Sequence, residues 1–273
     1  MLFCTKRLPF CIIFEILKYL YFESFGHAEE IMNKTRVLGI VIFFILSTIC
    51  LGALAFLLGT FYLPKLNPTP TVNYLPKYTT VIIDAGHGGE DGGASSAAGL
   101  VEKDVNLDIA KKLAEILRAS GVNVVMTRED DKLLYDRSVD FHGRKKKLDM
   151  AARLNLMQKQ ENAIFISIHM NSYTSPQYSG LQVWYSQNHA DSEALAGIIQ
   201  AKNKSLLQPE NERKTKGATS AIFLLNEASC PAVLVECGFL SNKDEAAKFE
   251  DEEHRQRVAL LLCSSILDFL YQE

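Results

Sequence analysis

The sequence predicts an α/β fold: a single twisted, mostly parallel sheet with helices on both faces, preceded by an N-terminal transmembrane helix. Two observations predict this class. After residue 78, short apolar runs bounded by turn residues alternate with amphipathic helical segments. Before that point, residues 37–63 contain no charged side chain and exceed the roughly 20 residues that cross a bilayer.

Composition excludes several classes of protein. The chain has 273 residues and a formal net charge of −3, so it lacks the basic surplus of a nucleic-acid-binding protein. Charged residues make up 22% of the chain, which does not indicate disorder. The six cysteines include no C-x-x-C pair, so neither a zinc knuckle nor a thioredoxin-type redox site is predicted. Cys230 and Cys237 flank an apolar run and, on a strand, lie about 20 Å apart, too far for a disulfide.

The N-terminal part of the sequence predicts a membrane anchor. The expected divisions are a tail (1–36), a transmembrane signal anchor (37–63), a proline-containing linker (64–77) and a C-terminal domain (78–273). Lys34 and Arg36 precede the span, which places the tail inside the cell and the tethered domain outside it. A cleaved signal peptide is the alternative. It is disfavoured because the apolar region of a signal peptide is only about 7–15 residues long, shorter than residues 37–63, and because this sequence has no clear A-x-A cleavage site.

Residues 1–31 contain a shorter apolar stretch that carries Glu15 and Lys18 and therefore spans a bilayer poorly. If it did cross the membrane, this second crossing would return the C-terminal domain to the cytoplasm. From Met32 the sequence has the order of an ordinary signal anchor, a short basic tail and then the span. We therefore expect translation to start at Met32. A genuine but dispensable extension over residues 1–31 is the alternative.

Six apolar runs predict strands, because each is short and is bounded by turn residues. The first run is followed by a glycine-rich loop. The first and third runs are apolar enough to be buried on both faces of the sheet. The predicted strands are 79–84, 122–127, 163–168, 180–186, 221–225 and 231–236.

Helical periodicity predicts the segments between these strands. In the first helix Val105, Ile109, Leu113 and Ile116 form an apolar stripe that should face the sheet, and Gly121 ends the helix. The predicted helices are 101–120, 144–159, 191–207 and most of 242–271.

Three predicted strands end near residues that can do chemistry. The first ends at Asp84 and is followed by His87 in the glycine loop, His169 follows the third, and Glu236 ends the last. Sites in open α/β sheets form beyond the carboxyl ends of the strands. If the strands are parallel neighbours, these three side chains meet on one edge. The glycines allow a tight turn that directs His87 back toward the strand ends, and Asp84 or Glu90 is expected to orient it.

A fourth candidate is Glu102, which lies on the apolar stripe of the first helix, three residues before Val105. An unpaired carboxylate in that position costs roughly several kcal/mol. A metal ion would pair it. The alternative is an ordinary glutamate in the first turn, favoured by the helix dipole, and Glu102 alone does not decide between the two.

Each signal taken alone has a non-catalytic alternative. A histidine after a strand is commonly a structural hydrogen-bonding group, and Glu236 could be a buried partner of Arg128 or Arg153. The glycine loop could cradle a phosphate, although it lacks the G-x-G-x-x-G and G-K-[ST] patterns and its acids repel an anion. Together, the two histidines and Glu102 give three protein ligands with an open fourth position, the arrangement of catalytic zinc sites.

Four segments, in this order and spacing, resemble one protein family. They are VIIDAGHGGEDGGA (81–94), GLVEKDVNLDIAKKL (99–113), IFISIHMNS (164–172) and AVLVECGFLSN (232–242). They are similar to the zinc-dependent N-acetylmuramoyl-L-alanine amidases of the amidase_3 type, and the resemblance extends from Tyr78 to Leu270. Within that family the chain resembles the germination-specific amidases of the spore cortex, which have a short N-terminal anchor and no wall-binding repeats. It departs from many relatives at Ala85 and Cys237, neither of which touches the expected chemistry.

The resemblance implies a hydrolase that cleaves the amide bond between N-acetylmuramic acid and L-alanine in peptidoglycan. It implies a Zn²⁺ ion bound by His87, Glu102 and His169, with Glu236 as the catalytic glutamate. Zinc makes hydroxide available near neutral pH, and Glu236 takes a proton from the attacking water and passes it to the departing nitrogen. In cortex relatives the stripped muramic acid is the precursor of muramic-δ-lactam, which implies a role in cortex maturation, in the space between the spore membranes.

Two other functions could use the same residues. A His/Glu/His set can bind iron for oxygen chemistry, but that leaves Glu236 and the anchor without a role. A non-catalytic peptidoglycan-binding module is the second, disfavoured because all four expected residues are present. The expected partners are the glycan strand with its stem peptide and the membrane, with no nucleic acid. The need for an accessory protein stays open.

Overall fold

The computed structural model describes residues 34–62, 76–136, 138 and 143–272, and it divides the chain into two units, Met1–Asn73 and Tyr74–Glu273. In the first unit helix α1 spans Lys34–Tyr62. Its described side chains are mostly apolar and largely exposed, including Phe43, Phe44 and Phe56.

Within the described residues, no helix combines the length and apolar character required to cross a membrane. Met32 and most of the predicted linker 64–77 lie outside the described residues.

In the described part of the second unit, strands alternate with helices as predicted. The strands are β1 (Thr80–Ala85), β2 (Asn123–Met126), β3 (Ala163–Asn171), β4 (Gln182–Tyr185), β5 (Lys216–Gly217) and β6 (Ala232–Phe239). The helices are α2 (Glu102–Ala119), α3 (Lys145–Gln158), α4 (Asp191–Leu206), α5 (Phe223–Asn226), α6 (Lys243–Glu250) and α7 (Glu252–Leu270).

The six strands form one sheet in the order β2-β1-β3-β6-β4-β5. All neighbouring pairs are parallel except β6 and β4, so the mostly parallel prediction is confirmed and the sheet is mixed. The connection from β3 to β4 has no helix and starts and ends at the same edge of the sheet. A parallel strand needs a crossover of a dozen or more residues, usually helical, so a direct return gives the opposite direction.

Helices cover both faces of the sheet, because successive residues of each buried strand point to opposite sides. In β1, Val81 and Ile83 enter the larger core, which also contains the apolar stripe of α2 and side chains of α4 and α7. Ile82, between them, enters a smaller core formed with α3 and α5. The predicted two-sided arrangement is therefore confirmed.

The predicted strand at 221–225 is wrong, because this run forms the start of α5. The amide of Ile222 donates to the Thr219 carbonyl, and the amide of Asn226 donates to Ile222, which closes a short helical turn. Leu224 and Leu225 are buried in the smaller core, so the apolar run serves packing rather than pairing. Two-residue strand β5 occupies the sheet edge instead.

A buried ion network lies under the carboxyl end of β1. The Arg153 side chain is fully buried and donates hydrogen bonds to Asp84 at 2.6 Å and to Asp149 at 2.8 Å. Burial alone would raise the pKa of Asp84, but Arg153 and hydrogen bonds from Ser167 and Thr127 outweigh it and hold that pKa below its ordinary value. Asp84 therefore stays ionised at neutral pH.

We predict that Asp84→Asn lowers the free energy of unfolding by about 3–5 kcal/mol, because it leaves the Arg153 charge buried with one fewer anion. Urea denaturation at pH 7 measures this loss. Glu212→Gln is the matched control, since Glu212 pairs with Lys204 in solvent, and its midpoint should hardly change. Because the folded pKa of Asp84 is lowered, its contribution is complete above its ordinary pKa and is lost as the pH falls through the folded value. Equal midpoints for wild type and Asp84→Asn at pH 7 would contradict the prediction.

Candidate metal centre and active site

The carboxyl ends of β1, β3 and β6 lie side by side and carry the predicted residues to one edge of the sheet. β3 pairs with β1 on one side and with β6 on the other, and His169 lies directly opposite Glu236 in the ladder. The structure therefore confirms that the ends of these three strands lie together at one edge of the sheet, as predicted.

The loop after β1 directs His87 back over this edge. His87 has a φ of 61°, a left-handed conformation that a non-glycine residue adopts at a cost. The Arg153 guanidinium donates to the His87 carbonyl at 2.6 Å, and Arg128 donates to the Gly86 carbonyl at 3.0 Å. Reciprocal backbone bonds between Gly88 and Asp91 close the turn. Two buried arginines thus hold the backbone that presents the histidine.

His87, Glu102 and His169 converge at distances suited to a metal ion. Glu102 Oε1 lies 3.2 Å from His87 Nε2 and 3.0 Å from His169 Nδ1, and the three ligand atoms all lie within 4.8 Å of one another. Zinc bonds of about 2.0–2.1 Å in a tetrahedron place ligand atoms about 3.3 Å apart. The donor set and its spacing therefore fit zinc.

Glu102 is held as the sequence predicted, on the buried face of α2 with 3% of its surface exposed. Its carboxylate also accepts backbone hydrogen bonds from Ala94 at 2.7 Å and from Met170 at 3.0 Å. Burial alone would raise the pKa of Glu102, but its bonds with His169 and His87 outweigh burial and lower it strongly. Glu102 is therefore an anion at neutral pH, as a metal ligand must be.

Two glycines leave room for these side chains. A Cβ atom on Gly86 would lie 2.3 Å from the His169 ring, and one on Gly93 would lie 2.5 Å from the Glu102 carboxylate and 2.7 Å from the His87 ring. Such distances are impossible for real atoms, so the glycines are required by the site as well as by the turn.

Glu236 does not belong to this triad. It is half-buried, and its Oε2 atom is buried without a hydrogen-bond partner among the described residues. Burial raises the pKa of Glu236 to about 7, with His169 opposing and Glu102 adding to the shift. The alternative that Glu236 pairs with Arg128 or Arg153 is not realised, because both arginines bond elsewhere.

The expectation that Asp84 or Glu90 orients His87 is wrong. Asp84 pairs with Arg153, and Glu90 pairs with Lys145. Asp91 Oδ2 instead lies 3.0 Å from His87 Nδ1, a charge contact that lacks the alignment of a hydrogen bond. All three acids are close in sequence to His87, and only the folded turn decides which of them faces it.

A cavity of about 340 Å³ opens over these groups. One wall is apolar and includes residues 221–225 and Met150, and another carries Asp91 and Lys146. Sequence reasoning missed this lining. The run 221–225 was predicted to be a strand, and the predicted helix over 144–159 was given no role in the site.

The chain matches a family model described as "Amidase_3: N-acetylmuramoyl-L-alanine amidase" over residues 81–268. Among characterised relatives, it is 34% identical over 193 residues to the germination-specific N-acetylmuramoyl-L-alanine amidase of Bacillus subtilis, covering 71% of this chain and 80% of the relative. It is 33% identical over 182 residues to the N-acetylmuramoyl-L-alanine amidase LytC of the same organism, covering 66% of this chain and 33% of LytC.

Solved structures show the same similarity. The CwlD amidase from Clostridioides difficile, determined in complex with the GerS lipoprotein, aligns with a TM-score of 0.68 and 35% identity over 71% of this chain and all of that one. The amidase AmiC2 of Nostoc punctiforme aligns with a TM-score of 0.59 and 32% identity over 72% of this chain and 98% of that one.

We predict that Gly86→Ala lowers bound zinc well below one equivalent, because the added methyl group displaces the His169 ring. Metal analysis of the purified protein by mass spectrometry measures this. Gly197→Ala is the matched control, since a Cβ there meets nothing within 4 Å on an exposed part of α4, and it should leave zinc content unchanged. Full zinc occupancy in Gly86→Ala would contradict the packing described here.

Proposed function

This chain belongs to the Amidase_3 family of N-acetylmuramoyl-L-alanine amidases, and we propose that it is a zinc enzyme that hydrolyses the amide between N-acetylmuramic acid and L-alanine in peptidoglycan. The observation that carries the zinc requirement is the convergence of His87, Glu102 and His169 beside Glu236, whose Oε2 atom has no hydrogen-bond partner among the described residues. This is the constellation expected for metal-assisted hydrolysis, with three ligands and one free acid or base.

In this proposal His87 Nε2, Glu102 Oε1 and His169 Nδ1 hold the ion. When bound, zinc acts as a Lewis acid that lowers the pKa of water to about 7 and stabilises negative charge on the substrate oxygen. The backbone bonds to Glu102 and the glycine loop around His87 keep the ligand atoms in place before the ion arrives. Such preorganisation reduces the cost of binding.

Glu236 moves the proton in this proposal. Glu236 lines the same cavity as both histidines, and its Oε2 atom has no hydrogen-bond partner among the described residues, so the carboxylate can accept a proton from the attacking water. It then donates that proton to the departing nitrogen of L-alanine, which otherwise leaves as a poor amide anion. A carboxylate whose pKa is raised to about 7 by burial suits both steps, because it can hold and release a proton near neutral pH. The apolar wall formed by 221–225 excludes bulk water from this exchange.

We propose that the product is used in the spore cortex, where peptide-free muramic acid becomes muramic-δ-lactam. Similarity to the germination-specific amidase of Bacillus subtilis over 80% of that protein supports this assignment. The chain should restore muramic-δ-lactam to spores of a Bacillus subtilis strain that lacks its own germination-specific amidase. Absence of the lactam, despite amidase activity of the expressed chain, would remove the cortex assignment and keep the amidase.

We also propose an extracytoplasmic location with a membrane tether, because peptidoglycan lies outside the cytoplasm and residues 37–63 are uncharged. The exposed apolar side chains of α1 support this, since they need an apolar environment. Protease added to intact protoplasts should digest the C-terminal domain. Protection of the domain until lysis would place it inside.

The CwlD complex with a lipoprotein supports an accessory protein as part of the proposal. Activity of the purified chain without additions would show that none is needed.

Glu236→Gln separates the base from the ligands. We predict that it retains zinc and shape but lowers the hydrolysis rate by about 10²- to 10⁴-fold, because it can no longer accept a proton. Release of stem peptide from purified peptidoglycan measures the rate, and metal analysis measures zinc. His169→Ala is the comparison variant and should lose zinc and activity together. Loss of zinc in Glu236→Gln would make Glu236 a ligand, and a wild-type rate would place the base elsewhere.

A further inference from the structure

Among the described residues that line the catalytic cavity, Lys146 is the only lysine or arginine. It lies near the start of α3, and the cavity it lines also contains His87, His169 and Glu236. The mechanism proposed above gives this charge no task.

Helix geometry directs Lys146 into the cavity. Lys146 and Met150 are four residues apart, so they share one face of α3, and both line the cavity. Asp149 and Arg153 lie on the same side of α3, three and seven residues after Lys146, and are buried against the end of β1. Lys147 is exposed and does not line the cavity. Two adjacent lysines therefore differ in their access to the catalytic centre.

The Lys146 ammonium group is available to a ligand. Its side chain is 72% exposed, and Nζ lies 3.6 Å from Asp91 Oδ2. An exposed pair at this distance is worth only about 0–1 kcal/mol, so a carboxylate on the substrate can compete with Asp91 for the lysine.

The charge pattern at the start of α3 is unfavourable for the helix itself. Residues 144–147 are Arg-Lys-Lys-Lys, and the first turn contains no acidic side chain. Cations at a helix N-terminus oppose the helix dipole, which favours acids there. The run therefore does not stabilise α3, and Lys146 is the one member of it that lines the catalytic cavity.

We propose that Lys146 binds a carboxylate of the stem peptide and gives the enzyme a preference for anionic peptides. This inference rests on the proposed amidase function. Only two contacts, of 3.6 and 3.0 Å, separate Lys146 Nζ from the His87 ring, with Asp91 between them. Because an extended peptide advances about 3.3–3.6 Å per residue, the carboxylate belongs to one of the first few residues after the scissile bond. A lysine suits this role because its ammonium group is a compact charge on a flexible side chain, which can reach a carboxylate at the edge of a cavity.

The test compares two soluble substrates, a muramoyl peptide with free carboxylates and the same molecule with those groups converted to carboxamides. For the wild type, amidation should raise KM by about five-fold, the size of one partly exposed ion pair, with a smaller effect on kcat. In Lys146→Gln, KM for the free carboxylate should rise to the amidated value, and amidation should have almost no further effect. Lys147→Gln, which removes an equal charge one position along, should discriminate between the substrates as the wild type does.

Four outcomes overturn the inference. Three of them concern the substrates: full discrimination retained in Lys146→Gln, discrimination lost to the same degree in Lys147→Gln, and no discrimination by the wild type. Zinc content is measured in both variants, and loss of zinc in Lys146→Gln alone would show that the lysine acts through Asp91 on the ligand His87, which also overturns it. If the zinc-loaded wild type hydrolyses neither substrate nor peptidoglycan, the proposed function fails instead, so the two failures are distinguishable.

Discussion

The structure around the site depends on one buried cation, the Arg153 guanidinium. It bonds to Asp84, Asp149 and the carbonyls of Ala85 and His87, and its side chain is fully buried. A buried charge is tolerated only when its partners are all in place, so these bonds require α3, the end of β1 and the glycine loop to meet in one arrangement. The His87 conformation, and with it the metal centre, follows from that requirement.

Two carboxylates at the same edge of the sheet, Glu102 and Glu236, have opposite environments. Glu102 is surrounded by donors, namely two histidines and two backbone amides, and its pKa is lowered. Glu236 is beside the same histidines but has one oxygen without any partner in the described structure, and burial raises its pKa to about 7. Environments that separate the pKa values of neighbouring acids suit them to different roles, and we propose that Glu102 serves as a metal ligand and Glu236 as a carrier of a proton.

The cavity above these acids has two unlike walls. Most of the apolar wall comes from a segment whose sequence is typical of a strand, and the lysine of the charged wall comes from the first turn of α3. Neither could be predicted from local patterns, because an apolar run of five residues fits a strand or a short helical turn equally well. Which lysine of residues 145–147 faces the cavity depends on the rotation of α3 about its axis, and Arg153 sets that rotation by docking on Asp84.

The sequence by itself determined what depends on local period and strand position. Alternating apolar runs and stripes identified most strands and helices. The chemistry-bearing residues His87, His169 and Glu236 were recognisable because they stand at or shortly after the ends of apolar runs. Glu102 was recognisable because a carboxylate on an apolar stripe needs a partner. Tertiary structure alone decided the antiparallel direction of β4, the helical form of 221–225 and the approach of Asp91, rather than its neighbours, to His87. The physical reason is that these features are set by packing and hydrogen bonds between segments that are distant in the sequence. The local order of residues does not specify such contacts.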